Sequence, residues 1–174
     1  MNKELLAKQI FDTAYITGEF TLRSGQVSNE YFDKYLFESK PVLLKSISEG
    51  MRLLLPDHYD LIGALEMGAI PIATAIALET NDPIVFIRKE AKAYGTAKFA
   101  EGPEIKGKKI CLIEDVVTSG GQLIKSTEML REAGAIIEDA ICVIDREAGG
   151  KKALSDAGIN LRALFTMSEL KISF

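Results

Sequence analysis

Two adjacent acidic side chains follow an apolar run in the second half of the chain. The run Cys111-Leu112-Ile113 has the composition of a buried strand, and Glu114 and Asp115 come directly after it. Residues 118–121 then supply two hydroxyl side chains and two glycines before a helical pattern begins. Glycines allow a tight turn, and the N–H groups of such a turn and of the next helix start point towards an anion. The pattern indicates a sugar-phosphate site, with the acids on ribose hydroxyls and the turn on the 5′-phosphate.

Other phosphate ligands fit this segment less well. No Gly-Lys-Ser/Thr follows the strand, so the segment is not a Walker A loop, and its glycine spacing is not Gly-x-Gly-x-x-Gly. Nucleoside triphosphates and dinucleotides are therefore poor candidates. The alternative that remains is structural, because Glu114 and Asp115 could simply cap a turn at the end of a strand.

The elements that must position this site alternate between helix and strand. From the possible N-cap Asn2, apolar side chains recur every four residues, which predicts a helix that ends at Gly18. Residues 20–35 indicate an irregular strand and turn, and Pro41 opens a second helix that Pro56 stops. Near-continuous apolar strands favour a parallel sheet flanked by helices, with ligands beyond the carboxyl ends of the strands. Strands are predicted at 61–64, 84–87, 110–113, 137–144 and 161–165, and helices at 69–78 and 122–133.

Composition and charge restrict the class of partner. The chain has 174 residues, 47% of them hydrophobic, and a formal net charge of −4, so one domain is expected and nucleic acid is not a partner. A signal-peptide pattern and a membrane-spanning run are both lacking, and we expect a cytoplasmic protein with no membrane partner. Cys111 and Cys142 lie in apolar runs typical of reduced, buried thiols, and the only histidine, His58, lies in a polar turn. A metal site built from protein ligands is not expected.

The segment from Ile113 to Gln122 resembles the phosphoribosyl pyrophosphate (PRPP) signature of type I phosphoribosyltransferases. Other segments resemble the orotate branch of that family in particular. Phe20 to Gly25 is similar to its N-terminal substrate segment, and Arg88 to Gly95 is similar to its mobile catalytic loop. Tyr31-Phe32 matches its aromatic pair, and Asp145-Arg146 matches the arginine that is expected to bind the orotate carboxylate.

The resemblance implies a fold, a reaction and an assembly. The fold would be α/β, a type I phosphoribosyltransferase-like parallel sheet flanked by helices, with a long mobile loop. Residues 1–174 would form a single domain, with a small N-terminal substrate-side segment at 1–40 and the PRPP-binding core at 41–174. The enzyme would transfer the phosphoribosyl group from PRPP to orotate in pyrimidine biosynthesis, giving orotidine 5′-monophosphate and pyrophosphate. Mg²⁺ would be bound mainly through substrate, and the loop 88–104 would reach the neighbouring site of a homodimer.

The resemblance also assigns roles to single residues. Arg88, Lys92 and Asp115 are expected to be catalytic, since fixed cations stabilise a departing polyanion in a closed site. The planar fork of Arg146 suits a carboxylate, the group that distinguishes orotate from uracil. The residues expected to bind PRPP are Arg88, Lys89, Lys92, Glu114, Asp115, Val116, Val117, Thr118, Ser119, Gly120, Gly121 and Gln122. Those expected to bind orotate are Arg23, Tyr31, Phe32, Thr118 and Arg146.

Several of these patterns also have ordinary structural explanations. Aromatic pairs are commonly core residues, and arginines and charged turns are commonly solvated surface. Gly63 to Pro71 is similar to the family's pyrophosphate-side loop, but an ordinary strand-to-helix turn would have the same pattern. Two other functions stay open: phosphoribosyl transfer to another base, purine or uracil, and PRPP sensing by a regulator without catalysis.

Overall fold

The first four described elements form a hairpin with two helices at the N-terminal side of the chain. The computed structural model describes residues 2–21, 25, 27–90 and 98–172. The strands β1 (Tyr15–Thr21) and β2 (Val27–Phe32) pair antiparallel, from Tyr15 opposite Phe32 to Thr21 opposite Val27. This hairpin and its helices correspond to the N-terminal segment expected from the sequence. The elements are α1 (Lys3–Ala14), β1 (Tyr15–Thr21), β2 (Val27–Phe32) and α2 (Lys34–Glu38).

The first helix begins where the sequence predicts and ends earlier than predicted. The Asn2 side chain accepts a hydrogen bond from the Glu4 N–H at 3.0 Å, which confirms the N-cap. The helix ends at Ala14, so the prediction that Gly18 ends it is wrong, because Gly18 lies within β1. The aromatic and β-branched side chains of residues 15–17 favour a strand, and pairing with β2 stabilises that conformation.

The central sheet has six strands: β3 (Leu61–Leu65), β4 (Ile84–Ile87), β5 (Ala100–Glu101), β6 (Lys109–Val117), β7 (Ile136–Asp145) and β8 (Asn160–Thr166). Their spatial order is β5-β4-β3-β6-β7-β8, and neighbouring strands are parallel except for β4 with β5. β3 is buried along its whole length, as its uninterrupted apolar sequence requires. The predicted parallel α/β sheet is confirmed.

Helices flank this sheet: α3 (Pro41–Arg52), α4 (Ala69–Thr80), α5 (Gly121–Glu132), α6 (Gly150–Asp156) and α7 (Met167–Ile172). Pro41 lies in the first turn of α3, as predicted, where a missing N–H costs no helical hydrogen bond. α3 packs against α4, and α5 packs against α6. The sequence pattern did not predict α2, α6, α7 or β5, which are too short for a clear period. Within the described ranges, no helix combines the length and apolar character needed to cross a membrane.

The strand β6 is longer than the predicted range 110–113 and contains both acids of the motif. Its pairing with β3 stops at Ala64 opposite Ile113, whereas its pairing with β7 continues to Val117 opposite Asp145. Residues 114–117 therefore project beyond the end of β3. This projection opens a cleft at the carboxyl edge of the sheet, where α/β proteins bind ligands.

Candidate active site

A polar cavity of about 350 Å³ lies along the projecting end of β6. We call it the motif cavity, because residues 114–122 line it without interruption. Every residue of that stretch was predicted to bind PRPP, so one strand end, one turn and one helix start bring that whole set together. The other lining residues come from α2, from the segments that follow β3 and β4, and from the first turn of α5. They are Lys34, Tyr35, Glu66, Met67, Lys89 and Leu123.

The turn between β6 and α5 favours glycine at position 120, both for its backbone conformation and for its close packing. Gly120 has a left-handed φ of +77°, and a Cβ there would lie 3.2 Å from Leu154 Cγ and 3.3 Å from the Gly150 carbonyl oxygen. α5 begins at Gly121, and no described side chain caps its N-terminus. Its first N–H groups therefore remain available to an anion, at the positively polarised end of the helix.

The two acids of the motif have different surroundings. Asp115 is fully buried, and its Oδ1 accepts a hydrogen bond from the Val116 N–H at 2.5 Å. Glu114 is partly buried, and its Oε1 accepts a hydrogen bond from the Asp115 N–H at 3.1 Å. Burial raises the pKa of Glu114 well above its usual range, and the adjacent Asp115 raises this pKa further. The pair is therefore an acceptor site in which negative charge is costly without a cation.

The short helix α2 supplies that cation through Lys34, which the sequence analysis missed. The Lys34 ammonium donates a hydrogen bond to Asp115 Oδ2, and the two residues form an ion pair. Burial lowers the pKa of Lys34, but the Asp115 carboxylate, together with smaller effects of Glu114 and Tyr35, more than offsets this, so the pKa of Lys34 is raised. Glu38 lies one turn further along α2, where burial raises the pKa of its carboxyl to about 8. The spacing of four between Lys34 and Glu38, after the N-cap Asp33, was the sequence signal for a shared face.

The turn after β3 closes the opposite side of the motif cavity. A Cβ on Gly68 would lie 1.6 Å from Asp115 Oδ2, so no larger residue fits there without moving the acid. The Glu66 carboxylate accepts a hydrogen bond from the Lys89 N–H at 2.8 Å and links this turn to the segment after β4. Glu66 and Met67 both line the cavity. The segment similar to a pyrophosphate-side loop thus borders the motif cavity.

The three cations predicted to act on pyrophosphate have different positions. Lys89 is exposed and lines the motif cavity. Arg88 is directed elsewhere, since its Nε donates a hydrogen bond to Glu101 Oε1 at 3.3 Å. Lys92, the third, lies outside the described residues.

A second cavity, of about 290 Å³, contains three of the residues predicted to bind orotate. We call it the aromatic cavity, and Tyr31, Phe32 and Arg146 line it. The Arg146 N–H donates a hydrogen bond to the Val117 carbonyl at 2.8 Å, so this cavity adjoins the motif. Of the other two predicted residues, Thr118 lines the motif cavity and Arg23 lies outside the described residues.

The aromatic pair divides between core and cavity. The Phe32 ring lies 6.5 Å from the Phe11 ring and 6.3 Å from the fully buried Phe37 ring, so it also belongs to the hydrophobic core. Tyr31 is 44% exposed and lies 5.5 Å from the Phe20 ring. Alternation along β2 explains the difference, because successive side chains of a strand point to opposite faces.

Comparisons with known proteins place the chain in a family. The phosphoribosyl transferase domain family matches residues 42–158. The chain is 48% identical over 165 residues to an orotate phosphoribosyltransferase of a Nocardioides species, an alignment that covers 95% of this chain and 92% of the relative. The chain belongs to the orotate phosphoribosyltransferase family. Another member, from Pyrococcus horikoshii, is 39% identical over 173 residues, with 98% and 93% of the two chains covered.

Solved structures of phosphoribosyltransferases share the fold over nearly the whole chain. The orotate phosphoribosyltransferase of Mycobacterium tuberculosis H37Rv in complex with PRPP is 25% identical with a TM-score of 0.82, covering 98% of this chain and 99% of that one. A phosphoribosyltransferase from Corynebacterium diphtheriae is 28% identical with a TM-score of 0.85 and the same coverage. The resemblance to type I phosphoribosyltransferases predicted from the motif is thereby confirmed.

Two further predictions concern residues away from the cavities of this orotate phosphoribosyltransferase family member. Cys111 and Cys142 are buried free thiols, as predicted, and burial raises the pKa of Cys111 to about 12. Such thiols are unreactive while the chain is folded. His58 is exposed, as predicted.

Proposed function

We propose that this chain transfers the 5-phosphoribosyl group of PRPP to orotate, which gives orotidine 5′-monophosphate and pyrophosphate for pyrimidine biosynthesis. The observation that carries the proposal is the junction of two unlike cavities at one strand end. The motif cavity follows the acids and amides of residues 114–122, and Arg146 of the aromatic cavity donates its N–H to Val117 within that stretch. A sugar phosphate and a flat, carboxylate-bearing base would meet there, in agreement with the reaction named for the relatives.

On the PRPP side, the chain would act by positioning the ribose. Glu114 and Asp115 would accept hydrogen bonds from the ribose hydroxyls, next to the backbone of Val116 and Val117. Residues 118–122 would hold the 5′-phosphate through the turn amides, the hydroxyl groups and the start of α5. Fixing the ribose in this way aligns the anomeric carbon for attack by a base nitrogen.

The departure of pyrophosphate is the step that needs positive charge. The bond from the anomeric carbon to pyrophosphate breaks while the bond to the base nitrogen forms, through a transition state with oxocarbenium character. Arg88, Lys89 and Lys92 would stabilise the charge that develops on pyrophosphate, an effect that can be the largest catalytic term in a closed site. Lys89 already lines the motif cavity, and Arg88 would have to exchange its Glu101 contact for the substrate.

On the acceptor side, side-chain chemistry would select the base. The Arg146 guanidinium would pair with the orotate carboxylate in a planar, bidentate contact. Tyr31 and Phe32 would flank the ring, and Thr118 and Arg23 would complete the contacts. The structure supports this assignment by bringing Tyr31, Phe32 and Arg146 around one cavity.

Mg²⁺ is the cofactor that we propose, and the donor chemistry of the motif cavity fits it. The lining offers the carboxylates of Glu66, Glu114 and Asp115, and Mg²⁺ prefers oxygen ligands. Within the described residues, no group of three His, Cys, Asp or Glu is placed to hold a metal by itself. PRPP oxygens and waters would supply most ligands, and Glu66 and Glu114 are the residues that would help to hold the ion. When bound, the ion neutralises charge on the pyrophosphate.

We also propose one domain, with residues 1–40 on the substrate side and 41–174 as the PRPP-binding core, acting in the cytoplasm as a homodimer. The segment 88–104 would serve the neighbouring subunit. Mixing Lys92→Ala and Asp115→Asn subunits tests this arrangement at a PRPP concentration far below the KM of the Asp115→Asn variant, where both variants are nearly inactive, because a mixed dimer would then contain one intact site. We expect recovery of about a quarter of the wild-type activity if subunits exchange at random. No recovery after verified exchange would place the loop on its own subunit's site.

The choice of base is the most informative test of the proposed function. The purified chain would be incubated with PRPP, Mg²⁺ and either orotate, uracil, adenine, guanine or hypoxanthine, and the release of pyrophosphate would be measured. We expect turnover with orotate alone. Turnover of a purine or uracil but not orotate would reject the proposed acceptor, and PRPP binding without turnover of any base would indicate a regulator.

A further inference from the structure

Lys34 makes a contact across the motif cavity that the proposed reaction has not used. It belongs to α2, and its ammonium reaches Asp115, 81 positions further along the chain. The Lys34 side chain keeps 31% of its exposure and lines the cavity, whereas the Asp115 side chain keeps only 1%. Lys34 is therefore the more accessible partner of this ion pair to a ligand in the motif cavity.

The ion pair is confined on two sides. The Lys34 ammonium lies over the Tyr35 ring, 5.2 Å from its centroid. On the other side, the position of a Cβ on Gly68 lies 3.0 Å from Lys34 Nζ and 1.6 Å from Asp115 Oδ2. The Lys34 ammonium therefore packs against Tyr35, and the Asp115 carboxylate packs closely against the backbone of Gly68.

Lys34 also balances an unusual concentration of acids. Asp115 and Glu114 are adjacent on β6, and the buried Glu38 carboxylate has no hydrogen-bond partner among the described residues. Within that part of the chain, Lys34 forms the only ion pair that involves either motif acid. Removing one partner of a buried pair leaves an uncompensated charge, which costs more than the pair contributes.

We propose that Lys34 is a positioning residue for PRPP, which holds the Asp115 carboxylate in the orientation that accepts a hydrogen bond from a ribose hydroxyl. The inference rests on the proposed function, since it deepens the role of Asp115 in PRPP binding. A carboxylate oxygen accepts more than one hydrogen bond, so Asp115 can keep Lys34 while it binds the ribose. Lys34 thereby makes the N-terminal segment a part of the PRPP site as well as of the acceptor side.

The test compares Lys34→Met with Lys34→Arg. Methionine keeps an unbranched side chain of similar length without the charge, and arginine keeps the charge. PRPP affinity would be measured by calorimetry, and KM and kcat by steady-state kinetics. A charge-assisted hydrogen bond contributes enough that Lys34→Met should weaken PRPP binding about 10-fold to 100-fold. The KM for PRPP should rise with it, while kcat and the KM for orotate change less than about threefold.

Controls separate this role from a structural one. Lys34→Arg should recover most of the PRPP affinity. Lys40→Met removes an exposed lysine whose ammonium donates a hydrogen bond to the Thr13 hydroxyl at 3.1 Å, and this variant should bind PRPP as the wild type does. Unchanged PRPP affinity in a folded Lys34→Met variant would overturn the inference, as would equal losses in the Met and Arg variants. If Lys34→Met does not fold, Lys34→Gln replaces it in the test. The Lys34→Arg variant must then bind PRPP more tightly than the Lys34→Gln variant.

Failure of this inference differs from failure of the proposed function. Wild-type turnover of orotate combined with unchanged PRPP affinity in Lys34→Met would reject only the role of Lys34. The opposite outcome is loss of PRPP affinity in Lys34→Met together with wild-type turnover of a base other than orotate. That outcome would support the positioning role of Lys34 and reject orotate as the acceptor.

Discussion

The motif cavity and the aromatic cavity are built in opposite ways. The motif cavity takes most of its lining from residues 114–122, one continuous stretch that ends the middle strand of the sheet and starts a helix. The aromatic cavity gathers Tyr31 and Phe32 from the hairpin, Arg146 from the end of β7, and Met167 and Lys171 from the last described helix. In the proposed function, recognition of the phosphoribosyl group would therefore be mostly local in sequence, and recognition of the base would depend on tertiary structure.

The difference has a physical origin in the groups that do the binding. Phosphate and ribose can be bound by backbone amides and short polar side chains, which a strand-turn-helix unit presents by itself. A flat base needs aromatic faces and a directed cation, and these must come from several elements at once. Variants of Lys92, Asp115 and Arg146, in order of decreasing expected effect, test whether the two cavities have separate roles, and a Glu38 variant tests the buried carboxyl of α2.

Lys92→Ala should have the largest effect, because the contact proposed between Lys92 and pyrophosphate would strengthen as the bond to the anomeric carbon breaks. We expect kcat to fall about 100-fold to 1,000-fold, with PRPP affinity changed far less. Single-turnover kinetics and PRPP calorimetry would measure the two quantities. Lys106→Ala, at an exposed position, is the matched control. Equal losses of kcat and PRPP affinity would assign Lys92 to ground-state binding.

Asp115→Asn should act on the motif cavity alone. The amide removes the charge that pairs with Lys34, and we expect PRPP affinity to fall about 10-fold to 100-fold while the chain stays folded. Calorimetry with PRPP gives the affinity, and circular dichroism verifies the fold. Asp57→Asn changes an exposed carboxylate and serves as the control. Unchanged PRPP affinity would remove Asp115 from the ribose site.

Arg146→Ala should act on the aromatic cavity alone. Arg146 is exposed at its surface, so we expect a moderate rise of about 10-fold in the KM for orotate, with PRPP affinity unaffected. Arg146→Lys should be intermediate, because lysine keeps the charge without the planar fork. Steady-state kinetics at saturating PRPP would show both. Activity that is nearly unchanged in Arg146→Ala would favour a different acceptor base.

Glu38→Gln should change stability with pH and affect catalysis least. The folded chain keeps the Glu38 proton up to a pKa of about 8, whereas the unfolded chain releases it near the ordinary carboxyl value of 4.5. Between those values the wild type loses stability as pH rises, by at most about 1.4 kcal/mol per pH unit, and the Gln variant does not. Urea unfolding at pH 5, 6, 7 and 8 would show the free energy of unfolding of the wild type falling relative to that of the Gln variant as pH rises.

Two results would contradict this expectation for Glu38. A constant difference in the free energy of unfolding between wild type and Glu38→Gln across pH 5 to 8 would mean that the Glu38 carboxyl titrates normally in the folded chain. A similar widening in Glu132→Gln, at an exposed position, would mean that the trend does not come from burial.

The contrast between the cavities also explains what could be predicted from sequence. The motif cavity was found because its chemistry lies in consecutive residues, from Glu114 to Gln122. Lys34 was missed because its partner lies 81 positions away, and no local pattern shows such a pairing. The resemblance to a family, not periodicity, connected Arg146 with Tyr31 and Phe32.

Errors in the predicted elements have a related cause. Gly18 was expected to end the first helix on local grounds, but the pairing of β1 with β2 determines where the helix ends. The strand at 110–113 was predicted to stop before the acids, yet its pairing with β7 extends it to Val117. In both cases a neighbouring strand outweighs local preference.

The projection of β6 past β3 links substrate occupancy to the integrity of the whole sheet. The strand that presents Glu114 and Asp115 is also hydrogen-bonded on both sides lower down, between β3 and β7. A ligand that binds only when this strand is in place binds the folded chain and not the unfolded one, so its binding stabilises the sheet against thermal unfolding. A rise in the melting temperature of the chain therefore reports that a ligand is bound, and it can be used to screen sugar phosphates before any turnover is measured.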